Sequence, residues 1–136
     1  MPNVTMPRTG RNPLSFSGEL LAEAGGKPDW KGRSRWHAVT IHRLEHGATR
    51  GYVLAVNYQS EWPGESGYSD AVLLQSPAEV MDWLRTYDPL AHYIGYPPSP
   101  QYAAKDAQQR QRIVSAWQVT VSEILKGEEF AERIGA

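Results

Sequence analysis

Apolar and polar positions alternate with a period of two through the first half of the chain and recur every three to four residues through the second. The first period is that of a strand with one buried face, the second that of a helix with an apolar stripe. Alternation begins with Leu14, Phe16, Gly18 and Leu20, set between Ser15, Ser17 and Glu19. It returns over residues 36–43, where Val39, Thr40 and Ile41 add β-branched character, and again over residues 52–58. The link between these two, residues 45–51, contains Gly47 and Gly51 and reads as a turn, so the pair predicts a β-hairpin. A shorter fourth strand is predicted over residues 71–74.

Past residue 75 the period changes. Ser76-Pro77-Ala78-Glu79 is a capping box with proline at the first helical position. In it the Ser76 hydroxyl accepts a free backbone N–H, and Glu79 reaches back to the N–H of Ser76. This helix is expected to run to about Tyr87 and end at Asp88-Pro89, with Val80, Met81 and Leu84 on its buried face. Ser99-Pro100 opens a second helix that runs to Lys126, where Gly127 stops it. Val114, Trp117, Val121 and Ile124 form its apolar stripe, and the polar residues 105–112 are expected to project past the core or lie in solvent. A short last helix would hold Phe130 and Ile134.

Residues 1–13, with three prolines and one glycine, read as a flexible N-terminal arm. Residues 14–136 read as one domain, with the sheet over 14–75 and the helices over 76–134. Strands followed by helices predict the α+β class. The expected architecture is a four-stranded antiparallel β-meander with two or three helices packed on one sheet face and the other face open to water or ligand.

Composition narrows the chemistry. The 136 residues include no cysteine, which removes disulfides, thiol nucleophiles and every cysteine-ligated metal site. The N-terminus lacks the apolar core of a signal peptide, and nowhere do eighteen apolar residues run together, so a cytoplasmic protein without membrane contact is expected. Net charge is −1, but residues 1–60 carry +4 and residues 61–136 carry −5. That asymmetry suggests an anion-facing half and an acidic half that is solvated or complements the other.

Three constellations stand out. Residues 27–36 interleave four bases with two tryptophans. Bases attract phosphate, and exposed aromatics stack on nucleobases. Trp30, Lys31, Arg33, Arg35 and Trp36, with Arg43 and Arg50 nearby, are therefore the expected ligand-binding set, beside a sheet face carrying Tyr52 and Tyr58. The competing reading puts Trp36 and those tyrosines in the core. The second constellation is aromatic. Trp83, Tyr87, Tyr93, Tyr96 and Tyr102 cluster around a proline-rich connection and would form an interface with a protein partner or a second copy of the chain. The alternative is a structured loop packed on its own sheet.

The third is His42-Arg43-Leu44-Glu45-His46, with Glu123 downstream. It resembles the H-x-x-E-H string of inverted zincins, in which two histidines bind zinc and the glutamate is the general base. That chemistry needs the histidines one turn apart on a helix. On a strand, positions four apart lie about 13 Å from each other, too far to share a zinc. No nucleophile elbow or phosphate-cradling glycine loop is present, and neither a catalytic residue nor a metal ligand or cofactor is assigned.

The preferred reading is a non-catalytic binding protein, homo-oligomeric, that holds a nucleotide or single-stranded nucleic acid. Arg33, Arg35 and Lys31 would meet phosphate, while Trp30 and Trp36 stack. One alternative is a protein–protein inhibitor or adaptor, as small accessory proteins of phages and plasmids that antagonise bacterial defence systems are; that analogy is one of size and style. The other is a zinc hydrolase.

Overall fold

The computed structural model describes residues 3–28, 33–44 and 51–127. Five strands form one antiparallel sheet in chain order: β1 Asn3–Arg8, β2 Arg11–Gly25, β3 Arg35–Leu44, β4 Tyr52–Ser60 and β5 Tyr68–Leu74. Two helices follow, α1 Pro77–Thr86 and α2 Ala103–Leu125, the second entered through a 3-10 turn at Pro100–Tyr102. The α+β class stands, with one strand more than the alternation predicts. The expected last helix around Phe130 lies outside the described residues.

The extra strand occupies the segment read from sequence as an arm. Val4 and Met6 register against Phe16 and Leu14 on one side of the ribbon. On the other, Thr5 meets Ser15 and Ser17 donates to Asn3. The prolines mislead here: Pro7 lies in an edge strand, where a missing N–H costs little. Thr9-Gly10 close the ribbon in a two-residue turn, Gly10 taking φ +75°.

The fifteen residues of β2 pair with β1 in their first half and with β3 in their second. The register shifts between Leu20 and Ala22. This bulge changes which residues face the helices: Gly18 and Leu20 pair on one face, and after it Ala22 and Ala24 pack against the helical core.

Beneath the helices, Val39 and Ile41 of β3 and Leu54 and Val56 of β4 meet Val80 and Leu84 of α1 and Trp117 and Ile124 of α2. The Trp117 indole N–H donates to the Leu84 carbonyl at 3.2 Å, tying the helices together. The buried stripe of α2 is Ile113, Trp117, Thr120 and Ile124, so Ile113 takes the place expected for Val114. At α1 the Ser76 hydroxyl accepts from the Glu79 N–H as expected, but the Glu79 carboxylate reaches past Ser76 to the N–H of Gln75.

The opposite sheet face is not left open. The β1–β2 ribbon curls across it until its tip reaches β5, where the Thr9 N–H donates to the Ser69 carbonyl at 2.7 Å and Arg11 pairs with Asp70. Phe16 packs edge-on to His42, with ring centroids 5.2 Å apart. Between Met6 and Pro7 on one side and Ala38, Thr40 and Ala55 on the other lies a hollow of about 210 Å³. Small side chains on the sheet leave that space.

Gly25 shows how tightly β2 approaches β3. Its φ is +86°, and an added Cβ would sit 2.2 Å from the His37 carbonyl oxygen. At Gly10 nothing lies within 4 Å. Gly10→Ala should therefore cost only the left-handed backbone term, about 1 kcal/mol, and Gly25→Ala at least about 2 kcal/mol more. Urea unfolding midpoints of the two variants check the order, and equal losses would contradict the close approach.

Candidate functional site

The base-rich segment and the first half of α2 meet at one corner of the molecule, and a buried ion pair pins them there. Arg35 opens β3 and points toward the helix side of the sheet, the same side as Tyr58 across the β3–β4 ladder. Its Nε donates to Glu65 Oε1 at 2.9 Å, and the two side chains are only 5% and 3% exposed. The Tyr58 hydroxyl donates to the same carboxylate oxygen. The Arg35 guanidinium also lies over the Trp62 and Tyr93 rings, at 4.8 and 4.6 Å, and reaches Gln109 on α2 at 3.4 Å. Burial by itself would raise the Glu65 carboxyl, but the bonds from Arg35 and Tyr58 outweigh it and hold the group below its ordinary range. Burial and the Glu65 bond push the Tyr58 phenol well above its ordinary value.

A second network extends this one to the helix. The Tyr93 hydroxyl donates to Asp106 at 2.7 Å, Arg110 pairs with Asp106 at 2.7 Å, and the Tyr96 N–H donates to the same carboxylate at 3.3 Å. Burial and the Asp106 bond push the Tyr93 phenol up to about 12.

Beside this frame runs an open groove of about 970 Å³. One wall is the first half of α2, with Gln108, Gln111, Arg112 and Ser115; the other carries Arg33 and Trp62. The Arg33 guanidinium stands 5.8 Å from the Trp62 ring. A smaller cavity of about 60 Å³ shares Arg33, Gln109, Arg112 and Ala116 with the groove and continues to Ser34, His37 and Trp117. Neither lining includes a carboxylate among the described residues, and among those residues Arg33 and Arg112 form no ion pair.

The expected ligand-binding set is thus divided. Arg33 lines the groove. Arg35 is turned inward and neutralised, a role the sequence does not distinguish from a surface base. Trp36 lines the small cavity, with the Lys27 ammonium 5.8 Å from its ring. Arg43 pairs with Glu19 at 2.8 Å near the far end of β3, about 26 Å along the strand from Arg35 at 3.3 Å per residue. Trp30, Lys31 and Arg50 lie outside the described residues. Tyr52 and Tyr58 belong to the face under the helices and are buried, so they offer no stacking surface. Sequence reasoning missed Arg112, Trp62 and Ser34. One signal for Arg112 was available: from Ala107 to Ser122 the helix carries no acid.

The aromatic constellation packs mainly on itself. Trp83 stacks on Tyr87 at 4.9 Å, Tyr87 packs against Trp117 at 4.8 Å, and Tyr96 stacks on Tyr102 at 5.6 Å. Tyr93 is buried. His42 of the H-x-x-E-H string is buried in β3 against Phe16, Glu123 lies on α2, and Glu45 and His46 lie outside the described residues. Among the described residues no three metal-binding side chains gather, and no described helix is long and apolar enough to cross a membrane.

Comparison with protein-family models, with curated proteins and with solved structures finds no match to this chain.

Two outcomes test the frame. Glu65→Ala leaves the Arg35 charge buried without its partner and should cost about 3 kcal/mol or more. Replacing both partners, Arg35→Met with Glu65→Leu, should cost less than Glu65→Ala alone; a double variant weaker than the single would refute the buried-charge explanation. The second concerns pH. His37 is enclosed by the Tyr58, Tyr87 and Trp117 rings, and burial, helped by the charge of His92, lowers its pKa to about 4. In the unfolded chain it titrates near 6.5. Between those values the unfolded state binds the extra proton, so stability is full above about pH 6.5 and declines as pH falls toward 4. The slope approaches about 1.4 kcal/mol per pH unit. Glu65 acts in the same sense but only at lower pH, below the ordinary carboxylate value. Urea titrations at about pH 7 and about pH 5 should therefore differ for the parent chain and differ much less for His37→Phe.

Proposed function

We propose that this protein is a non-catalytic binding protein whose groove between Arg33 and the first half of α2 holds a phosphate-bearing ligand, a nucleotide or single-stranded nucleic acid. One observation carries the reading: two guanidiniums without ion pairs among the described residues share an acid-free groove with an indole. Guanidiniums bind phosphate oxygens through paired N–H groups, and an indole face stacks on any base. Gln108 and Gln111 add neutral donors and acceptors that fit base edges or sugar hydroxyls. The site therefore differs from the one expected from sequence, with Arg112 and Trp62 taking the roles assigned there to Arg35 and Trp36.

A second reading, a protein–protein inhibitor or adaptor, draws on the apolar side chains left in solvent. Leu20 and Leu73 end one cross-strand row, Leu20–His42–Val53–Leu73, and both are about half exposed. Single exposed leucines are common on monomers, so this observation weighs less than the groove.

Binding of a fluorescent oligothymidine, followed against salt, tests the first reading. Replacing Arg33 and Arg112 together by glutamine should weaken binding at low salt and reduce the slope of log K against log salt by about 1 to 2. Unchanged affinity and slope would rule the groove out and favour the second reading.

A further inference from the structure

The small cavity that shares residues with the groove bears on which part of such a ligand would enter the protein. Its outer rim is exposed and cationic, with Arg33 and Arg112. Its deep end is formed by buried side chains, Ser34, His37 and Trp117. Ser34 is 2% exposed, and its hydroxyl has no hydrogen-bond partner. Its backbone, by contrast, is fully used: the N–H donates to Glu61 Oε1 at 3.0 Å, and the carbonyl accepts from the Glu61 N–H at 2.9 Å. The Ser34 hydroxyl is closed to water-sized groups, so the polar side chains a ligand meets are those of the rim.

Charge selects the kind of oxygen. The two carboxylates bonded to lining residues are each matched by a base, Glu61 by Lys27 at 3.0 Å and Glu65 by Arg35 at 2.9 Å. The rim guanidiniums therefore add positive charge that no carboxylate among the described lining residues offsets. His37 at the deep end is neutral at pH 7, because burial first and the His92 charge second keep it from protonating. The cavity of about 60 Å³ has room for roughly four or five water-sized groups. That matches the oxygens of one phosphoryl group and leaves no room for a base.

Resting on the reading above, we infer that this cavity binds a terminal phosphate: the phosphomonoester of a nucleotide, or the phosphorylated end of a single strand. An internal phosphodiester continues into sugar on both sides, more than a cavity of about 60 Å³ encloses. In the bound state Arg33 and Arg112 neutralise the dianion, and the sugar and base lie in the groove toward Trp62.

The test uses the intact protein and pairs of probes that differ only in the phosphate. Calorimetry would compare adenosine monophosphate with adenosine, and a 5′-phosphorylated oligothymidine with its 5′-hydroxyl twin. Each phosphorylated probe should bind at least about tenfold more tightly than its partner, the size expected for charge-assisted hydrogen bonds. Arg112→Gln should narrow that ratio. Equal binding of adenosine monophosphate and the phosphorylated strand supports the inference with a nucleotide as ligand; tighter binding of the strand supports it with a strand end. Equal affinity of phosphorylated and hydroxyl strands would overturn the inference while leaving a phosphate-binding groove in place. No binding of any probe would overturn both. The comparison between probes needs only the parent protein, so it stands even if Arg112→Gln does not fold.

Discussion

The ion pair between Arg35 and Glu65 is the constraint around which this corner of the molecule is arranged. Two opposite charges taken out of water must satisfy each other and their remaining hydrogen-bonding positions, or the burial is too costly to persist. Here Tyr58 and the Ile94 N–H also bond the carboxylate, while Gln109 and two aromatic faces accompany the guanidinium. Together these groups come from five parts of the chain: the start of β3, β4, the loop after it, the connection before α2, and α2 itself. Satisfying one pair therefore sets the position of all five. Arg33 and Ser34 immediately precede Arg35, and Arg112 lies one turn beyond Gln109, so the groove and cavity take their shape from the same requirement.

The charge asymmetry along the chain resolves largely into internal complementarity. Arg11 pairs with Asp70, Lys27 with Glu61 and Arg35 with Glu65, each joining a base from the first half to an acid from the second. These contacts hold the curled ribbon, the loop after β2 and the start of β3 to the β4–β5 region. The exposed pairs add little each, while the buried one is costly to break. At the groove two bases stay outside these pairs among the described residues, Arg33 from the first half of the chain and Arg112 from the second.

Aromatic side chains fill the space between sheet and helices in an unusual way for a core, since they surround a histidine. Tyr58, Tyr87 and Trp117 pack around His37 at centroid distances of 4.9 to 5.8 Å. The Tyr87 hydroxyl is buried without a partner, and burial first, then nearby phenol and carboxylate charges, push the phenol up to about 12. Rings of this size bury much area with few rotatable bonds, which makes the wall of the small cavity stiff.

Local pattern carries most of the secondary structure of this chain. The period of two in residues 36–43 and 52–58, the Ser76-Pro77-Ala78-Glu79 cap and the stop at Gly127 are properties of neighbouring residues, and each element stands where those residues place it. The α+β order follows from them. β1 escaped because its prolines outweighed the alternation of Val4 and Met6, and because an edge strand tolerates a missing N–H. The candidate site was legible only in its ingredients. Whether Arg33 or Arg35 meets solvent depends on Glu65, thirty positions away from Arg35, and on Arg33 lying just before the strand begins. Whether Tyr58 stacks on a ligand or lies under a helix depends on where α2 packs. Arg112 joins Arg33 only because that helix crosses the start of β3. Periodicity specifies that a residue is on a strand and which neighbours share its face. The tertiary structure alone decides which face is covered and which charge finds a partner, because burial and pairing are set by groups distant in sequence.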